Sequence, residues 1–252
     1  MRPKPQLHRA PGNAPDRFGR EQNIITSIDT LLADFRRVNP ASPRLTWYGS
    51  TGERIELSGK VLDNWVAKTA NFLVDEFDFG PGMSLSLDLP AHWKSLCILL
   101  GALAAGGTVT SAQGGTLLAS SDQQRLELDQ RPAIAVSLAA LALRWDGELG
   151  PQVRDYAAEV RMFADSFERF DDPAESQLAL SIGELQCEYQ QLSELRQEYS
   201  QADRIALDST VGLSAVATTA LGIWQSAGSL VLAEHRSLLT ASLLSSEAAR
   251  LR

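Results

Sequence analysis

The sequence predicts an α/β protein of two related βαβ-type lobes, each built on a mainly parallel sheet. Three observations predict it. Short apolar strand-like runs alternate with helical runs, the order that lays helices on both faces of a parallel sheet. The second half then restarts the helix-strand-helix-Gly-strand plan of the first. Finally, 252 residues with 44% hydrophobic and 21% charged side chains suffice for one large core or two coupled ones.

The elements follow in order. Ile28, Leu31, Leu32 and Phe35 stand at i, i+3, i+4 and i+7, one face of an amphipathic helix that Asn39-Pro40 ends. Residues 45–48 and 54–57 flank Gly49-Ser50-Thr51-Gly52 and read as a hairpin. A second helix buries Leu62, Trp65, Val66, Thr69 and Leu73. Gly80-Pro81-Gly82 is a turn, 83–89 a strand, and 91–105 a helix opening after Pro90. Thr108-Val109-Thr110 begins another strand, and Gly114-Gly115-Thr116 reads as a loop before a helix. Residues 133–136 and 159–164 read as strands, 138–143 and 153–158 as helical.

Ser181-Ile182-Gly183-Glu184 has capping-box spacing and predicts a helix continuing through Leu185, Tyr189, Leu192 and Leu195. A strand at 203–207, a helix at 213–224, a strand at 228–232 and a helical segment at 237–252 complete the chain. One shift lays Met83 on Arg204, Gly101 on Gly222, Gly107 on Gly228 and Thr108 on Ser229, as an internal duplication would. The expected divisions are a disordered basic tail at 1–22, a first lobe at 23–170 and a shorter second lobe at 171–252. Asp171-Asp172 and Glu168 around Pro173 read as a solvated linker between lobes, not as a catalytic carboxylate pair.

Charge and composition exclude several classes. The net charge is −8, and the first 22 residues carry five basic against two acidic side chains, so the remainder is more acidic still. Such a body does not neutralise a phosphate backbone, which argues against nucleic acid. No apolar run reaches membrane-spanning length; the most apolar, 96–109, is short and holds three glycines. The tail, with Pro3, Pro5, Pro11 and Pro15, lacks the apolar centre of a signal peptide. Cys97 and Cys187, isolated from each other, read as reduced thiols, and the expected compartment is the cytoplasm.

Across residues 28–112 several weak signals come in a telling order. Leu31-Leu32-Ala33-Asp34-Phe35 leads to Asn39-Pro40, the hairpin, and Ile55-Glu56-Leu57. Phe79-Gly80-Pro81-Gly82-Met83, Leu87-Asp88-Leu89-Pro90 with Trp93, and the run from Gly101-Ala102-Leu103 through Ala104-Ala105-Gly106-Gly107-Thr108-Val109 follow. This order resembles the opening of the adenylate-forming (AMP-binding) superfamily, which includes acyl-CoA synthetases. The resemblance implies the two α/β subdomains of their N-terminal part. Within that superfamily the chain is similar to an uncharacterised actinobacterial family of short proteins related to the N-terminal part of acyl-CoA synthetases, which brings no activity with it.

The departures shape the functional expectation. The superfamily's Ser/Thr/Gly-rich phosphate loop ending in Pro-Lys-Gly has no counterpart here, and no lysine follows Lys94. Its later Tyr-Gly-x-Thr-Glu and Thr-Gly-Asp motifs and its C-terminal catalytic lysine are also unmatched, and a chain ending at Arg252 leaves no room for the mobile C-terminal domain. No catalytic residue and no metal site is therefore expected, and ATP, AMP or CoA has no motif to hold it.

Candidate ligand-binding residues sit at two strand-to-helix junctions, where ligands of open α/β sheets gather. Asp88, His92 and Trp93 with Pro90 form the first; Ser209, Thr210 and Gly212 form the second, after Asp208. The plainer readings are a polar residue in a first helical turn with Trp93 packed inward, and a simple helix cap at Ser209 or Thr210. Asp208 repels phosphate, and no Lys or Arg follows it before Arg236. His8 falls in the tail, and His235 beside Glu234 has no second metal ligand close in sequence.

The expected function is that of a truncated, adenylate-forming-enzyme-like module without adenylation chemistry, a pseudoenzyme that binds a small molecule or a protein partner, a second copy included. The alternatives are one half of a split acyl-activating ligase, and a structural or regulatory subunit.

Overall fold

The computed structural model describes residues 27–111, 114–200 and 203–252, so the tail expected at 1–22 lies outside the described residues. Helix α1 (Ser27–Arg37) buries Ile28, Leu31, Leu32 and Phe35 on one face. Strands β1 (Pro43–Tyr48) and β2 (Arg54–Ser58) form the hairpin, and α2 (Gly59–Phe77) starts where Ser58 Oγ accepts the Val61 amide. Strand β3 (Ser84–Asp88), helix α3 (Trp93–Ala104) and strand β4 (Thr108–Thr110) follow. Every residue of α3 is buried, as befits a helix apolar on all sides.

Next come β5 (Leu117–Ser120), α4 (Gln123–Leu128), β6 (Ala133–Ala135), β7 (Val153–Asp155) and α5 (Tyr156–Glu159). Strands β8 (Leu178–Ile182) and β9 (Leu185–Glu188) lead into a 3-10 segment, Tyr189–Glu198. The chain closes with β10 (Arg204–Asp208), α6 (Leu213–Gln225), β11 (Ser229–Ala233), α7 (Ala241–Ser246) and β12 (Arg250–Leu251).

Two sheets result. One runs β12-β10-β11-β1-β2 and the other β7-β6-β5-β3-β4-β8-β9. All pairings are parallel except β1 with β2 and β8 with β9, each an antiparallel edge hairpin. The fold is α/β with two mainly parallel sheets. The units β3-α3-β4 and β10-α6-β11 share one plan, down to the close approach at Gly101 and Gly222. An added Cβ would lie 2.6 Å from Thr69 Cγ2 in the first case and 2.4 Å from the Leu195 carbonyl oxygen in the second.

The sheets do not follow the expected division at residue 170. Hairpin β1-β2 joins β10, β11 and β12, and hairpin β8-β9 extends the sheet of β3 and β4. The cause is non-local: Leu45 registers with Leu230 and Trp47 with Leu232, a parallel pairing that no local pattern announces.

Local structure departs from expectation at six places. Residues 181–184 are not a helix start but a hairpin, with Ile182 paired to Leu185 around a two-residue loop whose Gly183 sits at φ +56, the conformation such loops demand. A capping box does exist, shifted to Glu188 and Gln191 at the head of the 3-10 segment. Residues 138–143 are irregular, because Leu141 and Leu143 point to solvent and a helix without a buried face has little to hold it.

Residues 153–158 split into edge strand β7 and helix α5, whose first amides are capped by Asp155. Residues 159–164, expected as a strand, finish α5 and form the turn Val160–Met162, because the buried Val160 and half-buried Phe163 stand three apart, a turn's spacing. The loop at 114–116 opens not a helix but β5, a fully buried strand whose run of Leu117, Leu118 and Ala119 lacks alternation. In the tail, 237–252 yields only the short α7 and then β12, after Ala248 turns the chain at φ 49. Among the described residues no helix is long and apolar enough to cross a membrane.

Candidate functional site

The residues that follow β1, β3, β6, β10 and β11 converge on one cleft of about 570 Å³. Parallel strands present their carboxyl ends on one side, and there the chain leaves each sheet and exposes side chains and loop backbone. Trp47 and 49–51 enter after β1, Pro90, Ala91 and His92 after β3, and Leu138 with Ala139 after β6. Ser209 and Thr210 come after β10, Glu234 and His235 after β11, and Glu53 from the far side of the first hairpin.

His92 caps α3: its Nδ1 accepts the Lys94 amide at 3.2 Å, in a place usually taken by Ser, Thr or Asp. The ring is only 4% exposed and meets the edge of Trp47 at 4.5 Å between centroids. Burial, and then the nearby Lys94 charge, pull its pKa down to about 3. With Nδ1 acting as acceptor, the neutral ring carries its proton on Nε2. His92 can therefore offer one hydrogen bond to the cleft, but it does not take up a proton at neutral pH.

Ser209 bridges the two sheets. Its hydroxyl donates to the Ala91 carbonyl at the mouth of α3 and reaches the Ala233 carbonyl at 3.3 Å. Asp208 is buried and caps the turn Ser209–Val211, accepting the Thr210 amide at 3.1 Å and the Thr210 hydroxyl. Arg236 stands 3.6 Å from the same carboxylate. The hydroxyls at this junction are thus committed to protein acceptors, and a carboxylate occupies the position where a phosphate-binding turn would show bare amides.

Two further carboxylates line the cleft. Glu234 accepts the Ser50 amide at 2.6 Å, and Glu53 accepts the Thr51 hydroxyl. These hydrogen bonds hold both acids below the ordinary carboxylate range, although the Glu234 charge works against that of Glu53, while His235 and His92 favour the charge on Glu234. Opposite them, Leu138 and Ala139 make an apolar wall pinned by Lys94, whose Nζ donates to the carbonyls of Ser137 (2.6 Å) and Ala139 (2.7 Å). Burial, then the Arg161 charge, lower the Lys94 ammonium to about 8.

Of the six candidate residues, His92, Ser209 and Thr210 meet at the cleft. Asp88 ends β3 with its side chain 57% exposed, 3.3 Å from Ser120 Oγ and 3.8 Å from Arg125 Nε, outside the lining. Trp93 packs inward, edge-on to Trp65 at 5.2 Å. Gly212 caps α6 at φ +89, with open space around it. Sequence reasoning missed Trp47, Glu53, Glu234, Leu138, Ala139 and the pinning role of Lys94; only the Gly49–Gly52 turn signal could have pointed to the first two. Cys97 and Cys187 are buried free thiols, and burial raises both. Among the described residues no group of three or more His, Cys, Asp or Glu could hold a metal ion.

No family model matches the chain. A TIGR03089 family protein of Mycobacterium tuberculosis is 36% identical over 150 residues, covering 56% of this chain and 61% of the relative. The crystal structure of an acyl-CoA synthetase from Brucella canis superposes with a TM-score of 0.69 at 13% identity, covering 86% of this chain and 45% of that one. Acetoacetyl-CoA synthetase from Streptomyces lividans gives 0.65 at 16% identity, over 82% of this chain and 38% of that one. The chain thus spans less than two thirds of each of these proteins. Its fold is that of the N-terminal part of the adenylate-forming acyl-CoA synthetases.

Proposed function

We propose that the chain is a non-catalytic, small-molecule-binding module on an acyl-CoA-synthetase-like scaffold, acting in the cytoplasm. The single observation that carries this reading is the cleft at the shared carboxyl ends of both sheets. It has apolar walls, one buried hydrogen-bond donor in His92, and no Lys or Arg among its lining residues. Shape and walls suit an organic ligand, whereas adenylation needs cations at a polyphosphate. Ser209 donates to backbone carbonyls, which cannot take its proton, and the Asp208 carboxylate beside the Thr210 hydroxyl serves as the cap of the turn and faces Arg236. Two unpaired, buried cysteines fit a reducing compartment.

The test joins two measurements on the purified chain. ATP with a panel of carboxylic acids should release no pyrophosphate, and ATP, AMP, CoA and acyl-CoAs should leave the melting temperature unchanged, because only ligands of the native state raise it. A panel of uncharged and charged aromatic fragments should contain binders, and Ala139→Trp, which fills the cleft, should abolish their binding. Pyrophosphate release, or a saturable rise in melting temperature with ATP or AMP, would overturn the reading in favour of an acyl-activating ligase half. Fragment binding untouched by Ala139→Trp would remove the cleft from it.

A further inference from the structure

We propose that the cleft selects a small organic amine, an apolar body bearing a protonated nitrogen, over anionic and neutral ligands of the same shape. The inference rests on the cleft being the functional site and adds the ligand's charge. Glu53 and Glu234 both line the cleft and both bond the 49–51 loop, and although the Glu234 charge opposes that of Glu53, the Thr51 hydroxyl and Ser50 amide favour the ionised acids. An ammonium beside them is attracted by both carboxylates, while a carboxylate or phosphate meets two negative charges in a lining that holds His92 and His235 but no Lys or Arg.

The hydroxyls that could have welcomed an anion are spent: Ser209 donates to backbone carbonyls and Thr210 to Asp208. A buried donor at the cleft is the neutral His92, whose Nδ1 is already engaged and whose ring is nine-tenths buried. It accommodates a lone pair on the ligand's body, and Leu138 and Ala139 take its apolar part. A bare divalent cation is a poorer occupant, because no three ligating side chains converge among the described residues.

Three probes of one shape separate the possibilities: 2-phenylethylamine, 2-phenylethanol and 3-phenylpropionate, each titrated calorimetrically into the full chain at pH 7 and low salt. The amine should bind roughly five- to tenfold tighter than the alcohol, as expected of two partly exposed ion pairs, and the propionate most weakly. Glu53→Gln with Glu234→Gln should erase that preference, bringing the amine and the alcohol to equal affinity. Each single variant should erase part of it, which keeps the test open if the double variant folds poorly. Equal affinities, or a preference that survives both substitutions, would overturn the charge selection and leave the cleft reading standing. Failure of all three probes to bind the folded chain would overturn both.

Discussion

His92 does for α3 what a serine or aspartate does elsewhere, and it does so only while neutral, because Nδ1 must keep its lone pair to accept the Lys94 amide. Its pKa near 3 in the fold lies below the ordinary 6.5, so between those values only the unfolded chain takes the proton. Stability should therefore be level above pH 6.5, fall by about 1.4 kcal/mol per pH unit as the pH drops through the window, and level off below 3. Urea unfolding at pH 7, 5 and 4 measures the slope. His92→Asn, which caps without titrating, should remove this share of it, and an unchanged slope would place the effect elsewhere. Ala227 offers a second residue-scale check. It sits at φ 60 after α6, where the matching residue after α3 is Gly106 at φ +88. Ala227→Gly should stabilise the fold by about 1 kcal/mol by removing the left-handed strain on a Cβ, readable as a raised denaturation midpoint. The junction histidine and the Ser209-Thr210 pair were legible in the sequence because strand, turn and helix lie next to each other along the chain. Glu53 and Glu234 were not, because each is an ordinary surface glutamate until β1 pairs with β11.

Helices α3 and α6 are held at their equivalent glycines, and neither set of neighbours can yield. At Gly222 an added Cβ would meet the Leu195 carbonyl, and at Gly101 it would lie 2.7 Å from Thr69 Cβ, which moves only with its backbone and whose hydroxyl is tied to Trp65 and Tyr156. Gly222→Ala and Gly101→Ala should each cost about 2 kcal/mol or more; chemical denaturation curves decide it. The irregular 137–143 segment, by contrast, hangs on Lys94. Lys94→Met leaves the Ser137 and Ala139 carbonyls without their donor. Amide hydrogen exchange across 138–143 should then quicken at least tenfold while α3 itself stays protected, about 1.4 kcal/mol of local opening. Elements bounded by Gly or Pro were readable, as β3, α3, β10, α6 and β11 demonstrate. Those that failed did so for three different reasons: a missing buried face at 138–143, a sheet edge awaiting β7, and a glycine at 183 that turns a cap-like spacing into a hairpin.

At the scale of the molecule the two sheets are stitched together from both halves of the chain. Arg44 donates to the Val38 carbonyl at 2.6 Å and to the carbonyls at the end of α6, and the Trp224 indole returns a bond to the Arg44 carbonyl at 2.7 Å. Glu247 collects Tyr48, Arg54 and Arg204 around one carboxylate; burial works against its charge, yet those donors hold it at about 2. Cutting the chain at residue 170 should therefore give no two folding units. Fragments 1–170 and 171–252 expressed apart should lack cooperative thermal unfolding, whereas the whole chain should unfold in one transition by circular dichroism. A cooperative transition in either fragment would contradict this account. The fold class was legible because alternation and the repeated plan are statements about many residues at once. The cleft's composition was not, because it exists only after strands far apart in the chain become neighbours.

The pairing of β1 with β11 also sets a timetable for biosynthesis. The first hairpin leaves the ribosome with one edge of β1 bare, and its parallel partner, Leu230 to Ala233, is made only after every strand of the other sheet. At roughly 5–20 residues per second the wait is on the order of ten to forty seconds, during which Leu45 and Trp47 have no sheet to enter. The strands from β3 to β9, whose partners all lie between them, are free to assemble in the meantime. Until β11 emerges that bare edge is open to other chains, and holding chaperones have an apolar strand to protect.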